Sequence, residues 1–542
     1  MIGVRRRQRG QDNVAADWGA YATLRSHWLA ALLLAAGLAL RVLAEVAYRP
    51  ALLYVDTLKY LYNAYPGADP VGYKVPLKVI LAVGNLGTVA AVQHLVGLAV
   101  AVAVYVILIR LQVARWLAAL AIAPILLDAY QVQIEQTIMP DVWFEAVIVA
   151  GVALLLSRRI RQGRSTQGRS RQGRSTSRLA SERLAPGLLA VIAGGLILGI
   201  SATFRQVGEV LILPALLYLL AAGGGWRTVA VRWVALTVAF AVPILGYMAG
   251  SDVLTGRFQL DTATARLSTY GRMATAADCA TLRIPAYERP LCPTARARAF
   301  GIDWLDHDSA SPLKTYVAPA GMNRYAVIAK FDEQVAIQQP QRVMAAVARD
   351  AFKLFALART ASEGGTPISR WQFQDFYPTY YPWVNVRPDG TVVLGLPPQS
   401  GTGPMIRHRL DPGYGGKATV DRPIAEFLRG YQQDGGYTPG PLMAIFALAG
   451  LAGSLLAAVR RRNWANRDLA LACLLFFGSG VAILVMSDLF EFTWRYQLPA
   501  LVTLPPAGAL GIAATLSYFG RRRSGGSTTL PDEIPKVAAP TA

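Results

Sequence analysis

Long apolar runs alternate with polar stretches along the whole chain. Windows of about 18 or more apolar residues recur, the length a helix needs to cross a hydrocarbon core roughly 30 Å thick. The pattern predicts membrane helices near 28–47, 89–109, 116–130, 140–157, 187–204, 208–222, 233–251, 439–459, 468–487 and 497–518. Three longer polar segments interrupt the series: a first loop at 48–88, a tract at 158–185 and a large region at 252–438. The first apolar run follows a polar segment of more than twenty residues and has no clear small-residue cleavage site, so we expect a retained helix rather than a signal peptide.

Composition agrees with a membrane solvent. Of 542 residues, 54% are hydrophobic, more apolar surface than one soluble core of ordinary size accommodates. The formal charge of +21 invites a nucleic-acid reading, but the arginines collect where apolar runs end. "RRRQR" precedes the first run, "SRRIRQGRSTQGRSRQGRSTSR" follows the fourth, "RRRNWANR" follows the eighth and "RRR" follows the last. That is the positive-inside pattern. It predicts an all-α polytopic membrane protein of about ten transmembrane helices in the plasma membrane. A basic N-terminus (1–27) and a disordered tail (519–542) are then cytoplasmic, 28–251 and 439–518 form the membrane part, and a large mixed extracytoplasmic region spans 252–438.

The repeated "QGRST" units of 158–185 cannot bury anything and read as a disordered cytoplasmic linker. Within 252–438 the stretch "QQPQRVMAAVARDAFKLFALA" reads as a helix among turn-rich segments. Cys279 and Cys292 fall in the same region, where disulfides persist, and are expected to be bridged; Cys473 lies inside a predicted helix.

With this sidedness, polar residues gather at the outer ends of the spans. Asp56 follows the first span, Glu135 and Asp141 flank the third-to-fourth turn, Arg205 sits in the fifth-to-sixth turn, and Glu491 and Arg495 lie in the last outer turn. Acids and arginines at one interface suit transfer of a group from a lipid phosphate. Arginine forks bind phosphate oxygens and stabilise charge on a departing phosphate, and a carboxylate can take the proton of an attacking hydroxyl. A base on one face of a sugar and a held phosphate on the other give inversion.

The short motifs around these residues are "YVDTLKYLYNA" with "DPVGYKVPL", "EQTIMPDVWFEAVIV", "SATFRQVGEVLILPALL" and "WRYQLPALVTLPP". Taken in order they resemble segments of the GT-C glycosyltransferases, polytopic enzymes that use polyprenyl-phosphate sugars and include the protein O-mannosyltransferases and the lipid A aminoarabinose transferase. The resemblance implies that Asp56 is the catalytic base and that Arg205 and Arg495 bind the donor phosphate. Glu135 and Asp141 would contact sugar, acceptor or an optional divalent cation, while Tyr54, Tyr60, Tyr73 and Glu491 line the site. The partners implied are a polyprenyl-phosphate sugar and a glycan, lipid or protein acceptor. Many members carry two adjacent acids in the first loop, whereas Thr57 follows Asp56 here.

Other readings of these residues are weaker but open. Asp56 could pair only with Lys59, and Arg41 with Glu45, four apart in the first span, reads as an internal pair. "DWLDHDS" (303–309) holds acids and a histidine that could bind a cation, but it reads as a solvated loop because no scaffold orients the ligands. The four histidines show no zinc spacing. A flippase for a lipid-linked substrate and a non-catalytic envelope scaffold are the alternatives from other classes.

Overall fold

All ten apolar runs fold into helix in the structure, a computed structural model that describes residues 25–62, 70–165, 187–260, 269–360, 365–398, 403–458 and 467–524. The chain is mostly helical. Among the described residues, six helices are long and apolar enough to cross a membrane: Trp28–Ala47, Leu86–Arg110, Trp226–Thr255, Gly440–Ala457, Arg467–Phe490 and Trp494–Phe519. The pair Arg115–Leu127 and Ala129–Gln136, bent by 49°, makes a seventh if taken as one span. These helices make the chain a multi-pass membrane protein.

Among the described residues the expected count of ten is not confirmed. Leu188–Phe204 has 17 residues, about 26 Å at the α-helical rise. The run at 208–222 starts as a 3-10 turn, Gln206–Leu211, and leaves an α-helix of only 11 residues, Ile212–Ala222. Periodicity located these elements, and both keep exposed leucines, Leu189 on the first and Leu213 and Leu217 on the second.

Local signals explain the ends. Asn85 and Thr88 form a reciprocal capping box at the start of Leu86–Arg110. Arg115–Leu127 stops at Asp128, whose carboxylate caps the next helix by accepting from the Tyr130 N–H, and this junction is the bend. Gly440–Ala457 and Pro499–Ser524 meet backbone to backbone: a Cβ on Gly511 would sit 2.0 Å from the Ala449 carbonyl oxygen. Small residues at such crossings let membrane helices pack closely. Val231, Val234, Val238 and Val242 on Trp226–Thr255 stay exposed, as lipid-facing positions do.

Helix Asp141–Ser165 runs eight residues into the tract expected to be a linker, and the rest of 158–185 lies outside the described residues. The same holds for most of 1–27 and for 519–542 beyond Ser524. Trp226–Thr255 also passes the proposed boundary at 251.

The 252–438 segment has its own apolar centre, built from Tyr270, Leu291, Leu305, Ile328, Phe331 and Val335. The expected helix is split: Arg324–Gln338 and Pro340–Ala351 are separate, with Pro340 opening the second, and Phe352–Phe355 tightens into 3-10. Cys279 and Cys292 form a disulfide against this centre. Strands Val384–Val386, Val392–Leu396 and Ile406–Arg409 make an antiparallel sheet. Thr419–Val420 pairs antiparallel with Tyr48–Arg49 and so ties the segment to the first loop.

Asp332 sits in this centre and accepts from Thr269 Oγ1 at 2.6 Å. Burial pushes its carboxyl up to about 7, with the Thr269 bond opposing. A raised acid favours the folded state while it is protonated. Stability of this region should be full below the unfolded aspartate value near 4 and fall as pH rises through 7. Hydrogen exchange of 324–351 across pH 4–8 should show the loss, and Asp332→Asn should flatten it.

Candidate functional site

Backbone stitching of three segments builds the site. Leu52 N–H donates to the Gln136 carbonyl and Ile138 N–H to the Leu52 carbonyl, each at 3.0 Å. Thr57 Oγ1 accepts from Tyr54 N–H at 3.0 Å and donates to the Ile138 carbonyl at 3.1 Å. These bonds set Asp56, which precedes helix Thr57–Tyr62, beside Asp141, the first residue of Asp141–Ser165. Thr57, standing where a second acid is common, thus fixes the turn. Gly72 N–H donates to the Thr203 carbonyl at 2.9 Å and brings up the end of Leu188–Phe204, which Arg205 terminates. A Cβ on Gly72 would lie 2.4 Å from that carbonyl oxygen, so the approach requires glycine.

Arg495, on the short helix Trp494–Gln497, closes the cluster. Its Nη1 donates to Asp56 at 2.7 Å, and its Nε donates to both Asp141 oxygens at 3.1 and 3.2 Å. Arg205 Nη1 donates to Asp141 as well. Four residues from four separated segments therefore meet as alternating charges, Asp56, Arg495, Asp141, Arg205. Arg495 and Asp141 are buried, whereas the Asp56 side chain is 15% exposed and that of Arg205 11%. Both ends of the chain of charges thus reach the surface. Arg205 lies 4.6 Å above the Tyr496 ring, and Arg495 lies 5.6 Å from the rings of Tyr496 and Trp371. Lys59, itself buried, is 3.7 Å from Asp56.

Glu135 is not part of this cluster. All five N–H donors of Arg41 are used on Glu135 and on the carbonyls of Gly37, Ile125 and Leu126 at 2.8–3.0 Å. His94 and Gln131 hold the same carboxylate at 3.1 Å. A Cβ on Gly97 would strike Glu135 at 2.3 Å. Glu135 is fully buried within this network. Arg41 consequently pairs across the bundle and not with Glu45, because the fold brings a better-placed acid to it than its own helix offers. The optional cation at Glu135 and Asp141 does not fit either: both carboxylates already face guanidinium groups, whose charge repels a metal ion.

Of the four residues expected to line the site, Tyr54 packs on Trp371 at 4.9 Å, and Arg370 Nη1 donates to its hydroxyl at 3.4 Å. Tyr60 and Tyr73 are buried, edge to face at 5.0 Å, with the Tyr73 hydroxyl donating to Gln93. Glu491 accepts from Thr366 N–H at 3.2 Å and from its Oγ1 at 2.5 Å. Burial, then the nearby Asp303 charge, pushes its carboxyl up to about 7.

Sequence reading missed Arg370, Trp371 and Tyr496. Tyr496 stands inside the "WRYQLP" motif, so its neighbour Arg495 was a usable signal. Arg370 and Trp371 come from a 3-10 turn at Ile368–Trp371 that carries no periodic pattern. Arg359 was missed too. It grips Asp128 with two hydrogen bonds, at 2.5 and 3.1 Å, inside a cage of Tyr130, Tyr437 and Trp494 rings. That grip pins the 252–438 segment to the bend at Asp128.

No protein-family model matches the chain, and no curated protein sequence does. Two solved structures from Archaeoglobus fulgidus are similar to it. One is the oligosaccharyltransferase AglB in complex with an inhibitory peptide and a dolichol-phosphate, at 11% identity and TM-score 0.36, covering 94% of this chain and 53% of that one. The other is the oligosaccharyltransferase tethered through a disulfide to an acceptor peptide containing the NVT sequon, at 10% identity and TM-score 0.39, covering 93% and 52%. The chain spans about half the length of these two proteins.

Proposed function

We propose that the protein is a membrane glycosyltransferase that moves a sugar from a polyprenyl-phosphate donor to an envelope glycan, lipid or protein acceptor at the outer face of the membrane. The carrying observation is the Asp56–Arg495–Asp141–Arg205 cluster: the carboxylate and both arginines that the GT-C-like motifs single out lie in one network at helix ends. In this reading Arg205 and Arg495 hold the donor phosphate. Asp56 takes the proton from the acceptor hydroxyl as its oxygen bonds to the anomeric carbon, and the bond from that carbon to the phosphate oxygen breaks on the opposite face. The electron pair leaves with the polyprenyl phosphate.

The resting ion pair has a role here. Arg495 holds the Asp56 carboxylate in place through its Nη1; a phosphate that accepts from Arg495 would draw the guanidinium away and free that carboxylate for the acceptor hydroxyl. Asp141, held by both arginines, orients them. Purified protein should transfer label from a radiolabelled polyprenyl-phosphate sugar to membrane acceptors. Arg495→Ala should lower transfer by about 10²-fold or more, and Arg495→Lys should recover only part, since an ammonium cannot form the two-sided fork. Absence of transfer from every donor tried, with folded protein, would sink the reading.

One observation favours a flippase instead. Arg41, Glu135, His94 and Gln131 form a polar network within the helices, next to the helix broken at Asp128, and buried charge beside a broken helix is a transporter feature. Proteoliposomes loaded with a fluorescent lipid-linked sugar distinguish the two, because a flippase scrambles the lipid without consuming it.

A further inference from the structure

The loop at 303–309 is better ordered than its sequence implies. Residues Gly301–His307 form a helix, and its acids are sorted by direction. Asp306 turns inward and accepts from the Gly271 N–H at 2.8 Å, while Asp308 caps the following turn through the Ala310 N–H at 2.8 Å. Asp303 and His307, four apart, share one helical face. They meet Glu491, which directly follows helix Arg467–Phe490, and the three offer ligand atoms that all lie within 4.8 Å of one another.

We propose that Asp303, His307 and Glu491 form a binding site for a divalent transition-metal ion such as Mn²⁺ or Zn²⁺. Two carboxylate oxygens and one imidazole nitrogen are a three-ligand set with positions left for water or substrate. Oxygen and nitrogen ligands about 2.0–2.2 Å from a common ion are about 3–3.5 Å apart, so shifts of about 1 Å close the set. The imidazole selects against Mg²⁺ and Ca²⁺, which prefer oxygen alone.

The surroundings fit a ligand. No described residue hydrogen-bonds the His307 ring, so a nitrogen is open to a metal. Thr366 holds Glu491 through Oε1 and leaves Oε2 free, the kind of outer contact that orients a metal-binding carboxylate. Arg370 stands 3.7 Å from Asp303 Oδ2 and leaves its Oδ1 for the ion, while Lys314 adds a second positive charge near His307. A bound ion would lock the 301–307 helix to the end of Arg467–Phe490. Arg370 also bonds Tyr54, two residues from Asp56, so the ion would sit beside the charged cluster without sharing its ligands. The proposal does not depend on the transferase reading.

The test uses the full chain, purified in detergent and stripped with a chelator. Mn²⁺ is titrated and its free signal followed by electron paramagnetic resonance, with MgCl₂ as a competitor. One Mn²⁺ per chain is expected, displaced by Zn²⁺ but not by equal Mg²⁺. His307→Ala, at an exposed position, and Glu491→Gln, which keeps the Thr366 bonds, should each weaken binding at least tenfold, while Asp56→Asn, which removes a nearby charge but no ligand, should weaken it far less. No saturable binding, or binding indifferent to both His307→Ala and Glu491→Gln, overturns the site. Loss on Asp56→Asn alone moves the ion to the other cluster and overturns it too. Since the readout is metal binding, a transfer assay that fails leaves this result standing.

Discussion

Asp56→Asn is expected to cut glycosyl transfer by about 10²–10⁴-fold, the range for loss of a general base, with the expression level and detergent elution profile of the wild type. The substitution keeps shape and still accepts from Arg495 Nη1 at the position the structure gives, 2.7 Å away. What it removes is the proton acceptor and one negative charge. Donor binding should be retained or tightened, since Arg495 loses a competing anion, so the defect should fall on turnover rather than on donor affinity. Transfer that persists in Asp56→Asn would reassign the base. Equal loss of donor binding and turnover would point to a phosphate-positioning role.

A second large effect is structural. Arg41→Ala should destabilise the membrane part by roughly 3–5 kcal/mol, the penalty for leaving a buried charge without its partner. Both side chains are almost fully inaccessible, at 1% and 0% exposure, so solvent cannot take the place of the lost guanidinium. The measured outcome would be a sharply lower unfolding temperature and aggregation on detergent extraction. The double variant Arg41→Met/Glu135→Leu should recover much of the loss, because an apolar pair of similar volume removes the stranded charge. If the double variant is as unstable as the single, hydrogen bonds to His94 and Gln131 matter more than the charge pair. Activity separates the two networks: Asp56 variants should be folded and inactive, Arg41 variants unstable.

The optional-metal expectation shows how far residue type misleads. Glu135 and Asp141 look alike in "EQTIMPDVWFE", two acids six residues apart at a turn. The fold sends them to different partners. Glu135 belongs to helix Ala129–Gln136 and points to Arg41, while Asp141 begins a new helix and faces Arg205 and Arg495. The reverse error occurred at 303–309, where a stretch that reads as solvated loop contains a helix that aligns Asp303 and His307.

Several things were determined by sequence alone. The places of all ten helical runs, the membrane character of the chain and the bridging of Cys279 with Cys292 follow from apolar length, arginine placement and cysteine position. So does the nomination of Asp56, Asp141, Arg205 and Arg495, because polar residues at the ends of apolar helices are conspicuous in one dimension. Only tertiary structure decided which of those charges meet, that Arg41 reaches Glu135 94 residues away, and that Glu491 joins a helix from the 252–438 segment. The physical reason is that helix periodicity is a local property set within a few turns, whereas an ion pair or a metal site depends on how separate helices and loops are docked. That docking is set here by Gly72 against Thr203, Thr57 against Ile138 and Arg359 in its aromatic cage.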